Sequence, residues 1–228
     1  IENVTATAAN YTVNVAGSSN NTVVAIKEST LNGLCTVNVS GAGAMVTLDQ
    51  CTVNCNDNNT TEGESYSALS LNRDAIGGSI IATNTTVNVP ADSDSNKGRN
   101  SAANGVVTIN GSTDGLAIMV AFVEYEGSDY YYSFTSLQDA INWVDEKGDG
   151  NITLARPVEI DGEVVELDLK GETVTAPYSS AIEAKNGGKV TIKGEGTIKA
   201  HEAVVRALGG EVVIENGKFT QTGTALDS

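Results

Sequence analysis

The sequence predicts an all-β protein: a right-handed parallel β-helix, interrupted by a β-hairpin and one short amphipathic capping helix. Three observations predict it. First, GAMVTLDQCTVNC at 43–55 aligns without a gap on GGSIIATNTTVNV at 77–89, 34 residues on (77 − 43). Val23 to Asn32 lies in the same way on Met45 to Asn54, 22 residues on (45 − 23). Repeats of about 20–35 residues mark a solenoid. Second, the aligned positions form columns two residues apart: Val24, Val46 and Ile80, then Ile26, Leu48 and Ala82. Side chains of a strand alternate faces, so this spacing is strand periodicity. Third, Gly and Asn punctuate nearly every run, and no helical pattern falls between the repeated strands. That excludes βαβ units and leucine-rich repeats.

Each element follows from the same grammar. Leu31, Val53 and Val87 form a third inward column, after a corner. The runs Thr12 to Val15, Thr36 to Val39 and Thr86 to Val89 are rich in β-branched residues, which strands favour. The pattern lapses after Ile109 and restarts near Ile152. There Leu167 and Leu169 align on Val190 and Ile192, then on Val212 and Ile214. Ile1 to Val4 resembles Ile214 to Gly217, and Ala225-Leu226 resembles Ala181-Ile182. Both chain ends therefore fall inside a coil, and a longer polypeptide is expected. Three segments result: a first series of coils at 1–115, a hairpin and helix at 116–150, and a second series at 151–228.

Between the two series, Leu116 to Tyr125 and Tyr130 to Phe134 read as strands around the turn Glu126-Gly127-Ser128-Asp129. In the segment that follows, Leu137, Ala140, Ile141 and Val144 form one helical stripe. Thr135 with Gln138 fits a capping box, and Gly148 is placed to end the helix. The expected role is a cap over an exposed strand layer. A partner-docking helix is the alternative, because Trp143 lies just off the stripe.

The order YEGSDYYYSFTSLQDAI, GDGNITLARPVEI, LDLKGETV, VTIKGEGTI and VVIENGKF resembles the β-helix modules of large secreted and surface proteins of bacteria, in the pectate-lyase-like superfamily. The resemblance covers about residues 119–228. It implies an extracellular or cell-surface location and an adhesive or carbohydrate-directed role. It brings no catalytic residue set, because no catalytic motif of the family matches.

Composition narrows the partners. With 13 basic and 29 acidic residues the formal charge is −16. Nucleic acid needs a basic footprint and is therefore not expected as a partner. No apolar run reaches the length of a membrane span, so membrane insertion is not expected either. Cys35, Cys51 and Cys55 share the parity of inward residues, which favours buried thiols; a Cys35–Cys51 disulfide is the alternative. Zinc has the wrong ligand spacing, with the only histidine, His201, far away.

Candidate function concentrates in two insertions at one column: Asn56 to Tyr66, and Pro90 to Asn100. Long loops on one edge of a solenoid are the usual site of function. These supply Asp57, Glu62, Glu64, Asp92 and Asp94, with Lys97 and Arg99 beside them. Oxygen ligands at that density could hold Ca²⁺, with Asp57, Asp92 and Asp94 as ligands; two solvated loops without any ligand are the plainer reading. No other cofactor is expected. Charges stacked on one strand face would indicate a polysaccharide lyase or hydrolase, and none is visible: Asp49 aligns with Lys27 and Thr83. A non-enzymatic surface module is therefore expected, contacting a glycan or a host or cell-surface protein, or serving as a spacer. A carbohydrate-active enzyme is the alternative, and end-to-end self-association through the coil ends is a third.

Overall fold

The computed structural model describes residues 1–56, 67–90, 96–124, 131–148 and 150–223. They form a β-solenoid of about eight coils with parallel sheets, in two compact units, Ile1–Ile118 and Met119–Ser228. Among the described residues no helix is long and apolar enough to cross a membrane.

The first unit runs through Thr5–Thr7 (β1), Val13–Val15 (β2), Val23–Lys27 (β3), Thr30–Gly33 (β4), Val37–Val39 (β5), Met45–Asp49 (β6) and Thr52–Cys55 (β7). It continues with Ser67–Leu71 (β8), Ser79–Thr83 (β9), Thr86–Asn88 (β10), Asn96–Asn100 (β11), Val106–Ile109 (β12) and Leu116–Ile118 (β13). Three parallel sheets result: β1-β4-β7-β10, β2-β5-β8-β11-β13 and β3-β6-β9-β12. A full coil is thus three short strands with a corner after each. The register is the predicted one: Val24 lies beside Val46, and Val46 beside Ile80. Leu31 pairs with Val53, and Val53 with Val87. Val46, Val53 and Ile80 are fully buried. Leu116–Ile118 differs from the expectation. It is not part of the hairpin but lies parallel on β11, where the Leu116 side chain comes within 2.9 Å of the point a Cβ would occupy on Gly98.

One corner of this unit repeats in backbone and side chain. Between the β3 sheet and the β4 sheet the chain passes through a left-handed residue in three successive coils: Glu28, Gln50 and Asn84, each with φ near +50°. The next residue is buried, and its polar hydrogen returns across the corner. Ser29 Oγ donates to Lys27 O at 2.6 Å, Cys51 Sγ to Asp49 O at 3.3 Å, and Thr85 Oγ1 to Thr83 O at 2.8 Å. Cys51 therefore occupies a hydroxyl position. Cys51→Ser should leave the melting temperature within a few degrees, whereas Cys51→Ala should cost about 1 kcal/mol through the lost donor. Thermal unfolding of both variants checks this, and a serine as costly as the alanine would show that the thiol matters for packing alone.

The second unit opens with Ala121–Glu124 (β14), Tyr131–Phe134 (β15) and helix Leu137–Lys147 (α1). The coils follow: Asn151–Leu154 (β16), Val158–Asp161 (β17), Val164–Asp168 (β18), Thr173–Ala176 (β19), Ile182–Lys185 (β20) and Lys189–Lys193 (β21). The last of them are Thr197–Ala200 (β22), Val205–Leu208 (β23), Glu211–Ile214 (β24) and Lys218–Gln221 (β25). β14 is antiparallel to both β15 and β16, and from β16 onward pairing is parallel. One register differs from the expectation. Leu167 lies beside Ile192, not Val190, which pairs with Val165. A slip of two residues keeps every side chain on its face, so the inward pattern alone could not detect it.

The helix is a cap. Leu137, Ala140, Ile141 and Val144 are its buried residues and join the core with Leu167 and Leu169. Its N-cap is Ser136, one residue later than expected: Asp139 N–H donates to Ser136 Oγ. Gln138 is thereby released from a capping role and pairs with a strand. Asp168 N–H donates to Gln138 Oε1 at 2.8 Å, and Gln138 Nε2 donates to Asp168 O at 3.1 Å. β18 is the end strand of the β18-β21-β24 sheet, so one amide side chain occupies part of its open edge, as a next strand would. Gly148 ends the helix in the left-handed conformation, as expected. Trp143 packs on Tyr132, ring centroids 4.6 Å apart, and lies 6.3 Å from Phe134.

Candidate functional site

Asp57, Glu62, Glu64, Asp92 and Asp94 lie outside the described residues. The strands that flank the two insertions are described, and they are neighbours: β7 pairs with β10, and β8 with β11. Lys97 and Arg99 do not belong to a loop. They sit on β11, because Gly98 and Asn100 take the inward columns of Leu69 and Leu71 and strand alternation turns the two cations outward. Among the described residues no group of three His, Cys, Asp or Glu side chains is placed to hold a metal.

The charged face that the sequence reading did not find lies on the β17-β20-β23 sheet. Glu159 pairs with Glu183, and Glu183 with Arg206, so two acids and a guanidinium stack in one outward column. The register also places Asp161 beside Lys185. Lys185 Nζ is 2.6 Å from Glu159 Oε1 and 3.1 Å from Glu183 Oε2. Arg206 Nη1 is 3.1 Å from Glu183 Oε1. The Glu183 side chain is only 9% exposed, and these two cations are its counter-charges. The available signal was V-E-I-D, I-E-A-K and V-R-A-L, each with a charge between two apolar residues. Coils of unequal length and a change of sign at Arg206 concealed the column.

The charges of this face hold one another across coils. Hydrogen bonds to Glu159 and then Glu183 raise the Lys185 pKa and favour its ammonium form. Burial lowers the pKa of Arg156, while the Glu159 charge opposes that change. Its Nε donates to Met119 O at 3.0 Å. A general acid or base must be able to exchange its proton with a reacting group. Here both acids of the column are engaged by Lys185, and Glu183 also by Arg206.

The same device recurs elsewhere. Lys189 meets Glu211 at 2.7 Å, and Lys193 meets Glu166, on the β18-β21-β24 sheet. In the first unit asparagines take the role: Asn54 Nδ2 donates to Asn32 Oδ1 at 2.7 Å, and Asn88 Nδ2 to Asn54 Oδ1 at 2.8 Å. Asn38 and Asn14 are joined in the same way at 2.8 Å. An open concavity of about 430 Å³ lies at a corner of the second unit, with Glu195, Thr197, Asn216 and Lys218 on its walls. His201 is exposed at another corner. Asp49 lies between Lys27 and Thr83, as expected, so no acids stack there. On β15, Tyr131 meets Phe122 edge-on at 5.4 Å.

Comparison with protein-family models, with curated proteins and with solved structures finds no match.

Proposed function

We propose that the chain is a non-enzymatic module of a secreted or cell-surface protein, in which a stiff β-solenoid displays a surface for adhesion or glycan contact. One observation carries the reading: the stacked charges of the second unit's strands are engaged with one another between coils. Lys185 joins Glu159 to Glu183, Arg206 holds Glu183, and the asparagine ladders repeat the arrangement without charge. The resemblance of residues 119–228 to bacterial surface modules of the pectate-lyase-like superfamily supports the same reading, as does the acidic composition. The partner is then a glycan or a host or cell-surface protein. Coil ends that associate between copies remain part of the proposal.

A second reading, a carbohydrate-active enzyme, draws on the same column, since two stacked carboxylates are the raw material of glycoside hydrolysis. One set of experiments separates the two. The native chain is titrated by calorimetry with Ca²⁺ and with a glycan panel, and screened for polysaccharide turnover. Binding without turnover is expected. Replacing Asp57, Asp92 and Asp94 by Asn should weaken that binding and leave the metal-free melting temperature nearly unchanged. Turnover that is lost in Glu159→Gln or Glu183→Gln would establish the enzyme reading instead.

A further inference from the structure

We propose that Cys35 and Cys55 form an oxidisable pair, the site of a disulfide between successive coils, and that Cys51 is the structural thiol left over. Cys55 ends β7, its Cα opposite Gly33 of the coil beneath. Its thiol is buried and donates to Leu34 O at 2.9 Å. Leu34 is bonded to Cys35, and standard peptide geometry puts a carbonyl oxygen about 2.8 Å from the next Cα. The Cys55 sulfur therefore lies within about 5.7 Å of the Cys35 Cα, by that geometry and the 2.9 Å contact. For the bond to form, both side chains must turn until the sulfurs meet at about 2.05 Å with the Cα atoms about 4.4–6.8 Å apart. Cys35 stands in the turn between β4 and β5 and is only half-buried, so a small oxidant can reach it.

Cys51 has neither property. It is 3% exposed, and its thiol donates to Asp49 O across the left-handed corner. It also stands just before β7, at the opposite end from Cys55. Four residues of strand, at about 3.3 Å each, separate it from Cys55 by roughly 13 Å. Thr52, next to Cys51, pairs with Thr30, at the opposite end of β4 from Cys35, and the length of that strand removes the Cys35–Cys51 bridge considered from the sequence. The odd number of cysteines thus divides into one pair and one hydroxyl substitute.

The oxidant is a small-molecule disulfide such as oxidised glutathione. The Cys35 thiolate attacks one of its sulfurs and releases one glutathione thiolate. The Cys55 thiolate then attacks the Cys35 sulfur of the mixed disulfide and releases the second. Two protein thiols are oxidised and one glutathione disulfide is reduced. The proposal rests on the extracellular reading only for where such an oxidant is met; the test in vitro does not depend on it.

The folded chain is incubated with oxidised glutathione, alkylated in denaturant and mapped without reduction. Cleavage at Asp49 separates Cys35 from Cys51 and Cys55. Loss of two thiols of the three is expected, with the two fragments joined. The same link should form in Cys51→Ser and be absent in Cys35→Ser and Cys55→Ser. The closed loop spans a single coil, so the melting temperature should rise by about 5–10 °C on oxidation. A glutathione adduct persisting on Cys35 without a link, three unreacted thiols, or a link through Cys51 would each overturn the proposal.

Discussion

Val46→Asp is expected to unfold the first unit. Val46 is fully buried in a column between Val24 and Ile80. A carboxylate there would have apolar neighbours above and below and no cation within the coil. Burying an unpaired charge is among the few single changes that cost more than about 4 kcal/mol. Urea unfolding followed by circular dichroism should show a midpoint lowered by most of the unit's stability, or no folded baseline. Retention of a near-native midpoint would mean that the Val46 side chain faces solvent, which the coil stack does not allow.

The second large effect concerns two neighbouring glycines. Gly187 and Gly188 form the corner between β20 and β21. Gly187 has φ near +81°, but a Cβ there would meet open space. Gly188 has no such φ, yet its Cβ would fall 2.2 Å from Ile160 O and 2.9 Å from Lys185 O. Both obstacles are backbone, one of them in the preceding coil, and neither can rotate away. Gly188→Ala should therefore cost about 2–4 kcal/mol, in the range of overpacking. Gly187→Ala should cost about 1 kcal/mol, the strain of a left-handed residue with a Cβ. Paired denaturation curves decide between them. Equal losses would mean that backbone conformation, rather than coil-to-coil approach, selects glycine at this corner.

How much of this was legible depends on what each residue must do. Val24, Val46 and Ile80 announced their column because inward positions of a solenoid must be apolar and must alternate. The helix stripe at Leu137, Ala140, Ile141 and Val144 was legible for the same reason. The pairing of Leu167 with Ile192 was not, because its coil is longer than the next and a two-residue slip preserves parity. Outward positions carry no such constraint. Glu159, Glu183 and Arg206 share a column only because coils of unequal length bring them together. The role of Cys51 was hidden since Ser29, Cys51 and Thr85 have a polar hydrogen in common and little else. Ser136 displaced Thr135 as N-cap because the first turn is placed by the docking of Leu137 into the core, with Gln138 held by Asp168. The five acids of the two insertions could be placed from sequence only on a column, since loops obey no packing period.

We propose that the stacked charges hold coils together, and the melting temperature of Glu183→Gln tests it most directly. Functional charge clusters generally cost stability, so neutralising one tends to raise the melting temperature. A cohesive cluster behaves in the opposite way. Glu183 is nearly buried between Lys185 and Arg206, and its amide would lose two charge-assisted contacts worth together about 1–3 kcal/mol. A melting temperature lower by several degrees is expected, with glycan and Ca²⁺ binding unchanged. A variant that melts higher than the native chain while losing ligand binding or turnover would contradict it.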